Sequence, residues 1–156
     1  MAKKIQFSIN LHEKKNLHED LKMKIPSLKL EFIFDTYYLT LGLTIENVKH
    51  LTSIISNYLE NCKNSILNLS KGEIIYLPID FSDQYYGAYR VIRLDKDVFS
   101  FDFGTIEKTE KVAYDGFTQL QLEGAEFDID FQLTLTKIDV IDSFQLSSLN
   151  QSQGWK

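Results

Sequence analysis

EFDIDFQLTLT, residues 126–136, alternates polar and apolar residues along its whole length. Side chains alternate across a β-strand with a period of two, so this pattern predicts a half-buried strand. Its apolar residues define the predicted buried face: Phe127, Ile129, Phe131, Leu133 and Leu135. Its acids begin the predicted solvent face: Glu126, Asp128 and Asp130. The stretch therefore indicates a sheet with one face on a core and carboxylates on the other face.

The same alternation recurs in other segments and indicates a mainly antiparallel sheet. Further strands are predicted over residues 3–11, 28–34, 37–43, 73–81, 87–94, 98–106, 111–114 and 117–122. Polar connections at Asp95–Asp97 and Asp115–Gly116 are typical of hairpins. A change of phase at Asp35–Thr36 predicts a turn or bulge. Residues 12–26 lose the alternation and are interpreted as a loop or short helical turn.

Residues 73–81 are apolar on both faces, which favours a central strand. Pro78 weakens that interpretation, because proline removes a donor from the hydrogen-bond ladder.

One long segment has helical periodicity. Thr44 suits an N-cap, and Glu46 falls in the first turn, where the helix dipole favours an acid. Apolar residues then recur every three or four positions: Ile45, Val48, Leu51, Ile55, Tyr58 and Cys62. We predict one α-helix over about residues 44–64, packed on one face of a curved, mainly antiparallel sheet. A closed or more strongly curved sheet is the alternative architecture.

The bulk composition indicates one globular α+β domain. A chain of 156 residues fits a single domain that buries roughly 70% of its unfolded surface. No repeat or break in composition divides residues 1–156, and the polar stretch 147–156 is expected to be a frayed tail. The single cysteine excludes an internal disulfide, and the sequence shows neither a signal-like segment nor a membrane-length apolar run. We expect a soluble, cytoplasmic protein without a membrane partner.

The charge is distributed unevenly along the chain. Residues 1–30 hold seven lysines against three acids, a net charge of +4, whereas residues 31–156 hold ten basic and nineteen acidic residues, a net charge of −9. An acidic body repels phosphate backbones, which disfavours nucleic acid as a partner and suits a basic one. The simpler interpretation is that the acidity keeps the protein soluble.

Few residues indicate catalysis or metal binding. His12, His18 and His50 have no cysteine or acid at the spacing of a zinc site. Cys62 falls on the apolar stripe of the helix, where a thiol behaves as a small hydrophobic group. No nucleotide, hydrolase or calcium-loop motif is present. We therefore predict no cofactor, no metal and no enzymatic activity.

Residues 80–93 are the strongest candidates for binding. Tyrosine and arginine often anchor protein interfaces, since each combines a large contact area with directional hydrogen bonds. The candidates in this segment are Asp80, Asp83, Tyr85, Tyr86, Tyr89 and Arg90. The strand predicted at residues 126–136 adds Glu126, Asp128 and Asp130. The simpler interpretation is a strand whose tyrosines cover the edge of a sheet.

Together these features favour a non-enzymatic protein-binding module with a basic protein partner. A concrete version is an acidic inhibitor or immunity-type protein that neutralises a nuclease toxin, with carboxylates in place of phosphates. Two alternatives stay open. One is a small-molecule binding protein with an apolar cavity between sheet and helix. The other is an enzyme with a carboxylate pair assembled by the fold. The sequence leaves the partner's identity and the oligomeric state open.

Overall fold

The structure is a computed structural model that describes residues 4–10, 21–36 and 48–147. Within these ranges the strands are β1 (Gln6–Ile9), β2 (Leu21–Ile25), β3 (Leu30–Phe34), β4 (Ile74–Phe81), β5 (Tyr85–Asp95), β6 (Val98–Glu107), β7 (Val112–Tyr114), β8 (Leu120–Leu122) and β9 (Asp128–Thr136). The helices are α1 (Val48–Leu67) and α2 (Lys137–Ser143). The predicted strand at 37–43, the Thr44 cap and positions 148–156 of the predicted tail lie outside the described residues.

Two antiparallel sheets form the described fold, which confirms the α+β prediction. The large sheet has the order β7-β8-β4-β5-β6-β9, and the small sheet has the order β1-β2-β3. Strand β4 is central, as predicted. The outermost strands of the large sheet, β7 and β9, are not paired with each other, so this sheet is not closed.

The loop or helical turn predicted over residues 12–26 is wrong at strand β2, Leu21–Ile25, and positions 12–20 of that prediction lie outside the described residues. In LKMKI, residues 21–25, Leu21, Met23 and Ile25 are buried and the two lysines lie on the other face. Lys22 and Lys24 approach Glu31 of β3 across the sheet, at 3.4 and 4.0 Å. The alternation of Leu21, Met23 and Ile25 spans only five residues, too few to stand out within the polar segment 12–26.

Helix α1 confirms the predicted helix and extends three residues beyond the predicted end. Its apolar stripe is buried: Leu51, Ile55, Tyr58, Leu59, Cys62 and Ile66. Arg93 of β5 holds the end of this helix, because its Nη1 donates to the carbonyls of Leu67 and Leu69 at 3.1 and 2.6 Å. Neither α1 nor α2, the helices of the described chain, has both the length and the apolarity to cross a membrane.

Helix α2 was not predicted as a helix. Thr136 is its N-cap, and a reciprocal capping box joins Thr136 and Asp139. The box satisfies backbone donors that the first turn leaves without partners. Phe144, which follows this helix, packs against Phe7 and Phe101, with ring centroids 5.5 and 5.9 Å apart.

The main core lies on the inner face of the large sheet, the face that carries Tyr89, Phe101, Phe103 and Phe131. The small sheet packs against this face, where the Phe32 ring stacks on Phe131 and is tilted against Phe103. The outer face carries a second, smaller core formed by Ala88, Ile106 and Leu120 with Tyr76, Tyr86, Tyr114 and Phe127 at its border. Strands β7 and β8 contribute to this second core.

A bulge interrupts the regular alternation of β9. Phe131 opposes Phe103 and Ile129 opposes Gly104, so Asp130 is an extra residue in the ladder. Ile129 therefore leaves the face of Phe131, and 42% of it is exposed. The prediction that the apolar residues of 126–136 share one buried face is wrong at Phe127 and Ile129, because the bulge shifts the phase of the side chains before Phe131 and places Phe127 at the outer-face core.

Pro78 is accommodated beside a second bulge, between Pro78 and Asp80 in β4. The short strand β8 pairs with β4 only at Tyr76. The Pro78 carbonyl accepts a hydrogen bond from the Tyr58 hydroxyl of α1. The central strand tolerates proline because its neighbour on that side ends before Pro78.

Candidate functional site

A row of residues crosses four strands at the end of the large sheet where β4 and β6 end. Asp80 opposes Gly87, and Gly87 opposes Thr105 on the next strand. Thr105 in turn opposes Asp128 of β9. Strands lie about 4.8 Å apart, so Asp80 and Asp128 lie at the same level about 14 Å apart. Two acids predicted from distant segments thus share one end of the sheet.

Further acids join this level and form what we call the acidic end. Its members are Asp35 after β3, Asp80 in β4, Asp83 between β4 and β5, Glu107 at the end of β6, and Asp128 at the start of β9. Asp83, Glu107 and Asp128 are exposed, and Asp35 is half-buried. The acidic end therefore presents carboxylates from five separate segments.

Asp80 is the buried member of the acidic end, with 7% of its surface exposed. Its Oδ1 accepts from the Asp35 backbone N–H at 2.9 Å, and the Tyr85 hydroxyl also donates to it. The Asp35 carbonyl accepts from the Phe81 N–H at 2.8 Å. These hydrogen bonds connect the end of the small sheet to the large sheet.

Burial, and to a smaller extent the nearby Asp35 carboxylate, raise the pKa of Asp80 from its usual value to about 6. The hydrogen bonds from the Asp35 backbone and Tyr85, together with the Lys108 charge, act in the opposite direction. Gly87 leaves the space that Asp80 occupies, since a Cβ on Gly87 would lie 2.9 Å from the Asp80 Cβ. The result is a carboxyl group that exchanges its proton close to neutral pH.

Tyr85 and Tyr86 differ in what they offer to a partner. Tyr85 opposes Glu107, and 40% of it is exposed. The nearby Asp80 carboxylate and partial burial raise the pKa of Tyr85, so its hydroxyl remains protonated. Tyr86 is half-buried on the outer face, where the Lys108 Nζ lies 4.6 Å from its ring centroid. Tyr85 is therefore the aromatic side chain that the acidic end presents to solvent.

Tyr89 lies in the main core and is fully buried. Its ring contacts those of Phe101 and Phe103, and its hydroxyl donates to the Met23 sulfur at 3.2 Å. A partner could reach Tyr89 only if this core opened. We therefore do not include it in the candidate surface.

Arg90 lies on the outer face, away from the acidic end. Its Nε and Nη2 donate to Asp102 Oδ2 at 3.0 and 2.5 Å, and Gln132 donates to Asp102 Oδ1 at 2.7 Å. The guanidinium also lies over Phe127, 5.4 Å from the ring centroid. Arg90 thus neutralises the buried Asp102 carboxylate within the fold. We therefore do not assign it to the surface that would contact a partner.

Glu126 and Asp130 are both exposed beside Asp128. Glu126 precedes β9, and Asp130 occupies the bulge. The structure therefore brings Asp80, Asp83, Tyr85 and Asp128 to one end of the sheet. Sequence reasoning missed Asp35, Glu107 and Lys108 at this end, because cross-strand register decides that they meet.

The described residues offer little support for a metal or thiol site. Within 4–10, 21–36 and 48–147, no group of three or more histidine, cysteine or acidic residues is arranged to hold a metal ion. Burial raises the pKa of the Cys62 thiol to about 12, which keeps it protonated. Between sheet and helix, the side chains of Tyr58, Cys62 and Phe81 are buried together. The acidic end remains the most developed candidate site.

Comparison with protein-family models, curated proteins and solved structures finds no match for this chain. Its function is therefore inferred from the geometry and charge of its own residues.

Proposed function

We propose that this protein is a non-enzymatic binding module whose acidic end engages a basic protein partner. The observation that carries the proposal is the convergence of five carboxylates from five segments beside the exposed ring of Tyr85. Acids placed together attract a cationic partner over a distance and speed its association. The tyrosine adds contact area and a hydroxyl group at the centre of this charge.

Electrostatic repulsion among the carboxylates of the acidic end also favours a cationic partner. Like charges held close together repel one another and reduce the stability of the fold. Lys108 supplies a compensating charge beside Asp80 and Asp83, and a cationic partner would add to that compensation.

A concrete form of this function is an inhibitor or immunity-type protein in the cytoplasm. A nuclease toxin binds phosphate groups through basic residues in its active site. The carboxylates of the acidic end could occupy those basic residues and so exclude the nucleic acid. We propose this partner class because three exposed carboxylates, those of Asp83, Glu107 and Asp128, make the acidic end multivalent.

Affinity capture with two charge-reversed variants tests the proposal. The test variant is Asp83→Lys with Asp128→Lys at the acidic end. The matched control is Asp95→Lys with Asp97→Lys, which makes the same charge change at the β5–β6 turn, the opposite end of the sheet. We expect wild type and control to capture the same basic protein from a lysate of the source organism. The test variant should bind the purified partner at least about tenfold more weakly.

The salt dependence gives a second measurement on the same complex. Affinity should fall steeply between low and high ionic strength, because exposed charges are screened. Equal affinities of the test and control variants would refute the proposal, and so would affinity that does not change with salt.

The Asp35–Asp80 pair supports an acid–base enzyme as a second candidate. A carboxyl group with a pKa of about 6 next to another acid can donate or accept a proton near neutral pH. Assays of ester, phosphodiester and glycoside hydrolysis would test this. Activity that disappears in Asp80→Asn and persists in Asp83→Asn would favour the enzyme over the binding module.

A further inference from the structure

Strand β9 ends the large sheet and pairs with β6 on one side only, among the strands that the structure describes. Its other edge therefore has backbone donors and acceptors that no described strand pairs. Natural edge strands are usually protected by lysine, proline or bulges along the edge. The nine residues of β9, DIDFQLTLT, contain neither lysine nor proline.

The bulge protects only the beginning of this edge. From Phe131 to Thr136 the ladder with β6 is regular, without a further shift in register. Phe131 and Leu135 are buried on the inner face and Leu133 is half-buried. An added strand would find an apolar neighbour on this side and the exposed Gln132, Thr134 and Thr136 on the other. This segment suits a strand partner with ordinary alternation.

Charge indicates which strand would fit. Asp128 and Asp130 are exposed at the start of β9, and Asp128 belongs to the acidic end. Opposite charges on neighbouring strands stabilise their pairing, and like charges oppose it. A second copy of this chain carries the same net charge of −5, so a basic strand is the better complement.

We propose that an extended basic segment of the partner adds to the open edge of β9 as a further strand of the large sheet. Main-chain hydrogen bonds along residues 131–136 would supply affinity, and lysine or arginine side chains would lie beside Asp128 and Asp130. This inference rests on the proposed function, to which it adds the mode of recognition.

A synthetic peptide tests the edge directly with the full-length chain. The probe is a fluorescein-labelled nonapeptide of alternating lysine and threonine, measured by fluorescence anisotropy at low salt. One control peptide has the same sequence with its three central amides N-methylated, which keeps the charge and removes the donors. The other alternates glutamate and threonine. Amide hydrogen exchange of residues 131–136 is followed with and without the probe.

If a strand adds to this edge of β9, the lysine peptide should bind and should slow the amide hydrogen exchange of residues 131–136. N-methylation should weaken binding by about tenfold or more, because several hydrogen bonds are lost. The glutamate peptide should not bind measurably. Asp128→Lys with Asp130→Lys should weaken the lysine peptide by a similar factor.

Other outcomes separate the two proposals. Equal binding of the methylated and unmodified peptides, both weakened by the Asp128→Lys and Asp130→Lys changes, would overturn the edge mode and leave the acidic surface supported. Absence of binding by the lysine peptide would also overturn the edge mode. Analytical ultracentrifugation that reveals a dimer with residues 131–136 already protected would assign the edge to a second copy. Partner capture by the charge-reversed variants tests the proposed function independently.

Discussion

At the scale of single residues, Asp80 shows how burial changes the role of an acid. Its sequence context, DFSDQYY, suggested a surface carboxylate beside tyrosines. In the fold it is buried, accepts hydrogen bonds from Asp35 and Tyr85, and links the two sheets. Sequence could not predict this, because Asp35 lies 45 positions away along the chain.

The raised pKa of Asp80 predicts a pH-dependent stability. The folded carboxyl has a pKa of about 6, against an ordinary value of 3.8, so the folded state holds this proton more tightly than the unfolded state. Asp80 should therefore contribute a fall of about 2–3 kcal/mol in the free energy of unfolding as the pH rises from about 4 to about 7. Asp80→Asn should remove this contribution, because a carboxamide does not ionise.

Urea denaturation at several pH values measures the effect. Asp83→Asn is the matched control, since it removes an exposed carboxylate a few residues away. Its pH profile should follow the wild type, whereas the profile of Asp80→Asn should be flatter. Parallel profiles for wild type and Asp80→Asn would contradict the assignment.

The tyrosines also illustrate what alternation alone can resolve. Tyr85 and Tyr89 are four residues apart on one strand and therefore share a face, while Tyr86 and Arg90 lie on the other. The alternation in the sequence is therefore sufficient to assign these two pairs to opposite faces of the strand. It could not reveal that Tyr85 is exposed and Tyr89 buried, because that depends on how far the small sheet extends over the large one.

At the scale of elements, the β9 bulge has the largest consequence. It shifts Ile129 away from the core and aligns Asp128 with Thr105, Gly87 and Asp80. Without the extra residue, Asp128 would lie on the face of Gln132 and outside this row. The unbroken alternation of EFDIDFQLTLT contains no sign of the bulge.

Gly104 lies opposite the β9 bulge, and the bulge should require a residue without a side chain at this position. A Cβ at this position would clash with the Asp128 backbone, including its carbonyl carbon at 2.8 Å. At Gly87 a Cβ would meet side-chain atoms of Asp80 and Phe103, at 2.9 and 3.2 Å. Side chains can adjust more readily than a paired backbone, so Gly104→Ala should destabilise more than Gly87→Ala.

We expect Gly87→Ala to cost about 1–3 kcal/mol and Gly104→Ala to cost more, measured by urea denaturation. Hydrogen exchange should also show that Gly104→Ala selectively weakens the pairing of β9 with β6. The reverse order of the two variants would argue against the bulge as described.

At the scale of the whole molecule, aromatic side chains unite the two sheets and α2 in one core. Phe144 contacts Phe7 of the small sheet and Phe101 of the large sheet. The two sheets should therefore unfold together, since neither buries its apolar face alone.

Phe144→Ala tests this cooperativity. Loss of the ring should lower the global free energy of unfolding by about 3–5 kcal/mol. Amide exchange should become faster in both β2 and β5, and the opening free energy should fall by the same amount in the two strands. Phe117→Ala is the control, because this ring is 58% exposed and its loss should cost about 0.5 kcal/mol or less. Faster exchange confined to β1–β3 would show that the small sheet unfolds independently.

The sequence by itself determined the α+β class, the antiparallel pairing, the long helix and the acidic character of the chain after residue 30. These properties follow from local periodicity and composition, which each segment carries independently of its neighbours. Tertiary structure alone decided that acids from five segments meet at one end of the sheet, that Tyr89 is buried, that Arg90 is paired with Asp102, and that β9 has one edge that no described strand pairs. The reason is physical: register, bulges and strand order arise from contacts between distant segments, and no single segment encodes them.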